Sequence, residues 1–314
     1  MDVINAIEVF KGAWPTIQPA ISSAFSAVVA TLFLRKNTTA TEIERIKQSK
    51  FSDIADTLLA EGYITHLEYY KCRNFTNIAK KADEVYQKNI KKQESEEKPK
   101  EPIDFDWFVR FFEESGNISN EEMQDLWASV LAGEVKTPGS FSRKTLDVLR
   151  NLSQNDAKLF KELVQYVIPK GEYSFLFRDE SVLLKHEVTF SKIVKLDYCG
   201  LINSQPLTVI NKIGPNFTPF LYQTDENVCV VNPQTKDVEI TLPAYVITLA
   251  GIELLEIINV RVKKEFLFDV TRALNNKKPY MKGHTATLHR IDSIMNTVIY
   301  YDKQPLSLED NNNA

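Results

Sequence analysis

The sequence contains little glycine, little cysteine and little histidine. Only 10 of its 314 residues are glycine, and it has no GxGxxG motif and no phosphate loop, which argues against a glycine-rich nucleotide site. Its four histidines lie outside any HExxH motif or Cys/His cluster, so we expect no zinc site. Its three cysteines are far apart and lack CxxC spacing, as expected of unpaired thiols in a reducing cytoplasm. We therefore expect no cofactor, no metal and no enzymatic activity.

A strong excess of one charge is also absent. The net charge is -4 and the isoelectric point is near 5.7, so no global field attracts this chain to nucleic acid or to an anionic membrane. Hydrophobic residues make up 43% and charged residues 25%, as is usual for soluble globular proteins. No basic region precedes the first apolar stretch, so no secretory signal is predicted and we expect a cytoplasmic protein.

One uncharged segment, residues 12–34, is the exception to this globular composition. Pro15 and Pro19 restrict a regular helix to residues 20–34, about 22 Å at 1.5 Å per residue, whereas the hydrocarbon core is about 30 Å thick. We favour a helix buried in a bundle or in an oligomer interface. The alternative is docking on, or insertion into, the inner membrane.

Periodicity and composition predict a mainly α protein with an α+β C-terminal part. The apolar residues of the first 170 positions recur at helical spacing, whereas short β-prone runs follow a helix and a Gly-Leu-Ile turn at residues 200–202. This order resembles that of winged-helix modules, with a small antiparallel sheet. The predicted regions are a helical N-terminal module over 1–86, a charged linker over 87–103, a helical domain over 104–169, a winged-helix-like domain over 170–270, and a tail with one strand over 271–314.

Local signals in the middle domain predict particular helix ends. Ser119 with Glu122 forms a capping-box pattern, so a helix should begin just after Ser119. Gly133 suits the position after that helix ends. The aromatic run at 105–112 is predicted to be core rather than a stacking platform.

The loop after that helix is the first candidate site. Five polar or charged residues lie within ten positions and could hold a ligand or a partner: Glu134, Lys136, Ser140, Ser142 and Arg143. The competing interpretation, which we favour, is structural: Glu134 and Arg143 fix the turn, and Ser142 caps the next helix.

A second candidate site concerns DNA. Residues 168–270 carry ten basic and thirteen acidic side chains, which disfavours phosphate binding overall but leaves a local basic face open. The nucleic-acid candidates are Lys192, Lys195, Arg261, Lys263 and Lys264. Because winged helices also serve protein contact, we take protein binding as the default.

The central block resembles a bacterial family catalogued as domain of unknown function 2806. The resemblance is specific over about 105–160 and weaker over 65–260. It rests on Asp106-Trp107-Phe108, Phe111-Phe112, Ile118 to Gln124, Leu126-Trp127, Leu131 to Val135, Pro138 to Ser142, Thr145-Leu146 and Leu152-Ser153. The family name attaches no activity, and related bacterial helical families with a Leu-Trp-x-x-x-Leu-Ala block are linked to phage defence.

These observations lead to three functional hypotheses. The first is a non-enzymatic interaction or assembly protein with protein partners, itself a homo-oligomer, acting in phage defence. The second is a membrane-associated effector that acts through residues 12–34. The third is a winged-helix DNA-binding regulator.

Overall fold

The chain forms two compact units, Met1–Gln154 and Asn155–Ala314. The computed structural model describes residues 51–90, 103–170, 173–213, 220–234, 238–258, 260–281, 283–295 and 298–308. The uncharged segment 12–34 and residues 91–102 of the predicted linker lie outside these residues. No helix in the described ranges combines the length and the hydropathy needed to cross a bilayer.

The described part of the first unit is helical. It comprises α1 (Phe51–Ala60), α2 (His66–Ile90), α3 (Phe105–Ser115), α4 (Glu121–Lys136) and α5 (Arg143–Asn151). The helix α2 continues through residues 87–90, the first positions of the predicted linker.

Aromatic side chains from three helices form the core of this unit. Phe75 of α2 meets Phe112 of α3 edge-on at 4.9 Å between ring centroids, and Phe111 meets Trp127 of α4 at 5.3 Å. All four side chains are fully buried. Each buried aromatic side chain contributes a large apolar area, so this cluster stabilises the packing of α2, α3 and α4.

The helix α4 begins and ends at positions other than those predicted. Asn120, rather than Ser119, is the N-cap: its side chain accepts a hydrogen bond from the Met123 amide at 3.0 Å. Asparagine and serine cap about equally well, so propensity does not choose between these neighbours. The helix also runs past Gly133 to Lys136, with Thr137 as its C-cap.

The second unit combines helices with two sheets. Its elements are α6 (Gln154–Leu163), a 3₁₀ turn (Val164–Tyr166), β1 (Val167–Lys170), β2 (Tyr173–Phe177), α7 (Glu180–Lys185), α8 (Phe190–Tyr198), β3 (Ile202–Ile213), β4 (Phe220–Gln223), β5 (Asn227–Asn232), β6 (Val238–Ile247), α9 (Leu249–Leu255), α10 (Lys264–Asn276), α11 (Lys278–Met281), β7 (Thr285–Met295) and β8 (Val298–Tyr301).

The first sheet has the strand order β1-β2-β6-β3, and all its pairs are antiparallel. The segment α6, β2, α7, α8, β3, β6 follows the winged-helix order, in which the first strand pairs with the third and α8 occupies the recognition-helix position. The predicted fold class, mainly α with an α+β C-terminal part, is confirmed.

The second sheet has the order β4-β5-β7-β8 and is also antiparallel. Its strands β4 and β5 come from the connection between β3 and β6, where a simple winged helix has a loop. Its strands β7 and β8 come from residues 271–314, which the sequence suggested to be a tail with one strand. The same residues also contain the end of α10 and the short α11.

A close backbone contact fixes the end of α8 against the start of α9. The Thr248 hydroxyl donates to the Gly200 carbonyl at 2.6 Å and accepts from the Gly251 amide at 3.1 Å. A Cβ atom at Gly251 would lie 2.4 Å from the Leu201 carbonyl oxygen, so only glycine fits there. This contact sets the direction in which α8 presents its surface.

Candidate functional site

In the loop that is a candidate ligand or partner site, the central carboxylate forms hydrogen bonds to the backbone of the loop itself. Glu134 is 1% exposed, and its two carboxylate oxygens accept from the amides of Gly139 at 2.6 Å and Phe141 at 3.0 Å. Gly139 adopts a φ of 86°, the left-handed region that favours glycine. The Glu134 side chain therefore holds the turn rather than facing a cavity.

The other four residues of this loop also have local contacts or face solvent. Ser142 N-caps α5 by accepting from the Thr145 amide at 3.3 Å, and the Ser140 hydroxyl donates to the Thr137 carbonyl. Arg143 pairs with Asp104 at 3.1 Å and with Asp106 at 3.3 Å, and Lys136 is exposed. Glu134 and Ser140 therefore bond within the turn, and Ser142 caps the start of α5.

The exposed face of α8 is aromatic rather than basic. Phe190 is 61% exposed and Tyr198 is 90% exposed. Lys195, one of the two DNA candidates on this helix, forms an ion pair with Asp156 at 3.1 Å. Exposed aromatic side chains of this kind offer a large area for contact with a partner.

The basic residues near α10 do not form a continuous basic face either. Arg261 pairs with Glu226, and Lys264 lies over the Phe268 ring at 5.4 Å from its centroid. Lys263 contacts the Tyr166 hydroxyl at 3.3 Å and lies 5.3 Å from the centroid of that ring. Of the five nucleic-acid candidates, Arg261 and Lys264 line one pocket, and Lys192 and Lys263 line another.

These two lysines line a pocket of about 200 Å³ in the second unit, which we call the His186 pocket. Its walls come from α6 and the turn after it, from the residues that follow α7, from the first turn of α8 and from the start of α10. The polar groups that face it are those of Glu162, Gln165, Tyr166, His186, Glu187, Lys192 and Lys263.

A buried carboxylate behind the pocket holds His186 in place. The Nε2 atom of His186 lies 2.9 Å from Asp269, whose carboxylate also pairs with Lys185 at 3.0 Å and with Arg272 at 2.8 Å. The imidazole ring is also tilted against Tyr166, with centroids 5.4 Å apart. Because Asp269 takes Nε2, the ring nitrogen left for another partner is Nδ1.

Sequence analysis missed the His186 pocket because its residues come from four separate segments. Lys192 and Lys263 were candidates for DNA binding, and His186 carried no motif. No group of three or more His, Cys, Asp or Glu side chains in the described residues has metal-binding geometry.

Residues 67–271, more than half of the chain, match the family described as protein of unknown function (DUF2806). The chain belongs to this family. The resemblance seen in the sequence is thereby confirmed. No curated protein and no solved structure matches the chain. The aromatic face of α8 and the His186 pocket both lie within the matched residues, whereas β7 and β8 lie beyond them.

Proposed function

We propose that this chain is a non-enzymatic interaction protein that assembles with copies of itself, and that the exposed aromatic face of α8 forms the contact. The observation that carries the proposal is the exposure of Phe190 and Tyr198 at the recognition-helix position. Aromatic residues are enriched in the buried centres of protein interfaces and are among the residues whose truncation weakens binding most.

The charges on α8 support self-association over DNA binding. Asp156 neutralises Lys195, and Asp197 lies on the same helix as Lys192, so the helix carries almost no net charge. Two copies can therefore bring these faces together without like-charge repulsion. A DNA-binding helix would instead need several unpaired basic groups for the phosphates, whereas α8 offers only Lys192 among its described contacts.

Light scattering coupled to size exclusion tests this proposal on the full chain. We expect an oligomer at micromolar concentration, and we expect a variant with both Phe190→Ser and Tyr198→Ser to dissociate at least tenfold more readily. The matched control is Leu67→Ser, since Leu67 is 63% exposed but lies in the first unit. A monomeric wild type, or a double variant with unchanged dissociation, would overturn the proposal.

DNA binding is the second candidate function, favoured by the winged-helix order of the second unit. It predicts a mobility shift at low salt, and this shift should weaken steeply as the salt concentration rises. The double variant Lys263→Glu with Lys264→Glu should weaken the shift for every DNA sequence. Absence of a shift at low salt would exclude it.

A third proposal, membrane association through residues 12–34, predicts that the full chain floats with liposomes.

The proposed cellular setting is bacterial defence against phage, where the resemblance to helical defence families points. Plating phage on cells with and without the chain tests it. Protection should appear with the wild type and should be lost with the Phe190→Ser and Tyr198→Ser double variant if assembly is required.

A further inference from the structure

We propose that the His186 pocket is a binding site for a small molecule that carries a phosphate or a carboxylate group, held between Lys192 and Lys263. The pocket lies in the second unit, apart from the turn around Glu134, and the proposal is independent of self-association. Its volume of about 200 Å³ exceeds that of a phosphate ion, so there is room for the remainder of a small metabolite.

The two lysines are available to such a group. Within the described ranges neither Lys192 nor Lys263 forms an ion pair, and the recorded polar contact of the Lys263 ammonium is to the uncharged Tyr166 hydroxyl. Lysine ammonium groups bind phosphate and carboxylate oxygens as point charges. Two of them in the lining of one pocket favour the binding of an oxyanion there.

The helices that carry these lysines add to the positive potential. Among the described helices, α2, α3, α4, α5, α7 and α9 have an N-cap side chain that accepts a first-turn amide. The helices α8 and α10 have none, and they supply Lys192 in the first turn and Lys263 at the N-cap. The amide groups and the dipole of a helix N-terminus favour an anion, and here they do so beside a lysine.

The pocket also offers further hydrogen-bonding groups. The Tyr166 hydroxyl lies beside Lys263, and the Gln165 and His186 side chains complete the wall. Asp269 fixes the His186 ring from behind, so the ring is already oriented before a ligand enters. A preorganised wall of this kind lowers the entropy that binding would otherwise lose.

Two carboxylates at the pocket, Glu162 and Glu187, restrict the class of ligand. They repel a second anionic group and accept hydrogen bonds from an amine or a hydroxyl. Glu187 adopts a φ of 57° at the end of α7, the left-handed conformation of a helix C-terminus. The ligand should therefore combine one oxyanion with hydrogen-bond donors.

Isothermal titration of the full chain with inorganic phosphate, and separately with acetate, tests the site and distinguishes the two head groups. In both titrations the ionic strength is kept equal by addition of a chloride salt. We expect saturable one-to-one binding of at least one probe, weakened tenfold or more by Lys192→Gln and by Lys263→Gln. The control is Lys212→Gln, an exposed lysine of β3 outside the pocket, which should bind as the wild type does.

Thermal unfolding of the same proteins provides a second measurement. The probe that binds should raise the midpoint of the wild type and of Lys212→Gln, but not those of the two pocket variants, because only binding to the folded state stabilises it. Failure of both probes to bind, or equal binding by the pocket variants, would overturn the proposal.

Discussion

At the scale of single residues, Glu134 shows how a charged side chain serves a turn. Its carboxylate satisfies the amides of Gly139 and Phe141 while it is itself buried. Replacement by alanine would leave both amides without this partner, and an unsatisfied buried group costs about 1–3 kcal/mol. We expect Glu134→Ala to lower the free energy of unfolding by about 2–3 kcal/mol in urea titrations.

The control for this change is Lys136→Ala two residues away. Lys136 is exposed, and surface substitutions of this kind usually change stability by less than about 0.5 kcal/mol. Equal stability of the two variants would show that the Glu134 turn contributes nothing.

The Asp179 carboxylate makes stability depend on pH. Burial is the largest single influence and raises its pKa, but hydrogen bonds from Lys277 and Ser181 and the charge of Lys277 together hold that pKa below its usual value. Because the folded pKa is lowered, the stabilisation is complete above the unfolded pKa of about 3.9 and is lost as the pH falls through the folded pKa.

We therefore expect Asp179→Asn to destabilise the protein by a constant amount near neutral pH and by progressively less below about pH 4. The measurement is chemical denaturation of both proteins across this range. For Asp292→Asn, which removes an exposed carboxylate, the difference in stability from the wild type should not decrease in this way as the pH falls. A difference between wild type and Asp179→Asn that persists unchanged into acid would contradict this account.

Residue roles that depend on local chain geometry could be predicted from the sequence. The interpretation of Ser142 as a helix cap and of Glu134 as a turn residue needed only spacing and the nearby glycines, and the structure shows both contacts. The His186 pocket could not be predicted, because Tyr166, His186 and Lys263 meet only after the strands between them pair.

At the scale of elements, the end of α7 has an unusual residue. Val188 donates to Leu183 and Glu187 to Leu184, the hydrogen bonds of a Schellman motif, and Glu187 occupies the left-handed position where glycine is usual. The left-handed conformation costs a non-glycine residue about 1–2 kcal/mol. Glu187→Gly should raise the free energy of unfolding by about 0.5–1 kcal/mol after the greater chain entropy of glycine is subtracted.

The matched control is Glu187→Ala, which removes the carboxylate but keeps the Cβ atom and hence the backbone strain. We expect the alanine variant to show no gain in stability when both variants are compared with the wild type by thermal unfolding. A gain of equal size from alanine would mean that the charge, rather than the backbone, is what destabilises the wild type.

Element boundaries show where local reasoning fails. The α4 cap is Asn120 rather than Ser119, and these two good capping residues are not separated by propensity. The strand β7 was missed because its buried residues, Ala286, Leu288 and His289, do not form a regular apolar alternation in the sequence.

At the scale of the whole molecule, a buried thiol in each unit reports on the opening of that unit. Burial, with a smaller contribution from the charge of Glu68, raises the pKa of Cys72 in the first unit to about 12. Cys229 in the second unit is fully buried, whereas Cys199 is partly exposed. Since only a thiolate reacts, and only when it is accessible, Cys199 should be alkylated first.

Iodoacetamide labelling followed by mass spectrometry checks this order. We expect Cys72 and Cys229 to react only at the rates at which their units open, and denaturant should bring all three to similar rates. Alkylation of Cys72 in the folded protein as fast as Cys199 would contradict the packing around α2.

The alternation of the chain between its two sheets has a consequence for synthesis on the ribosome. The strands of the first sheet are synthesised as β1 to β3 and later β6. In the second sheet, β4 and β5 are synthesised before β6, and β7 and β8 after it. When a nascent polypeptide has emerged only to residue 271, where the family match ends, β7 is not yet present. The backbone amides and carbonyls along one edge of β5 are then unpaired. Translation through residue 295 is therefore needed before that strand is shielded from other chains.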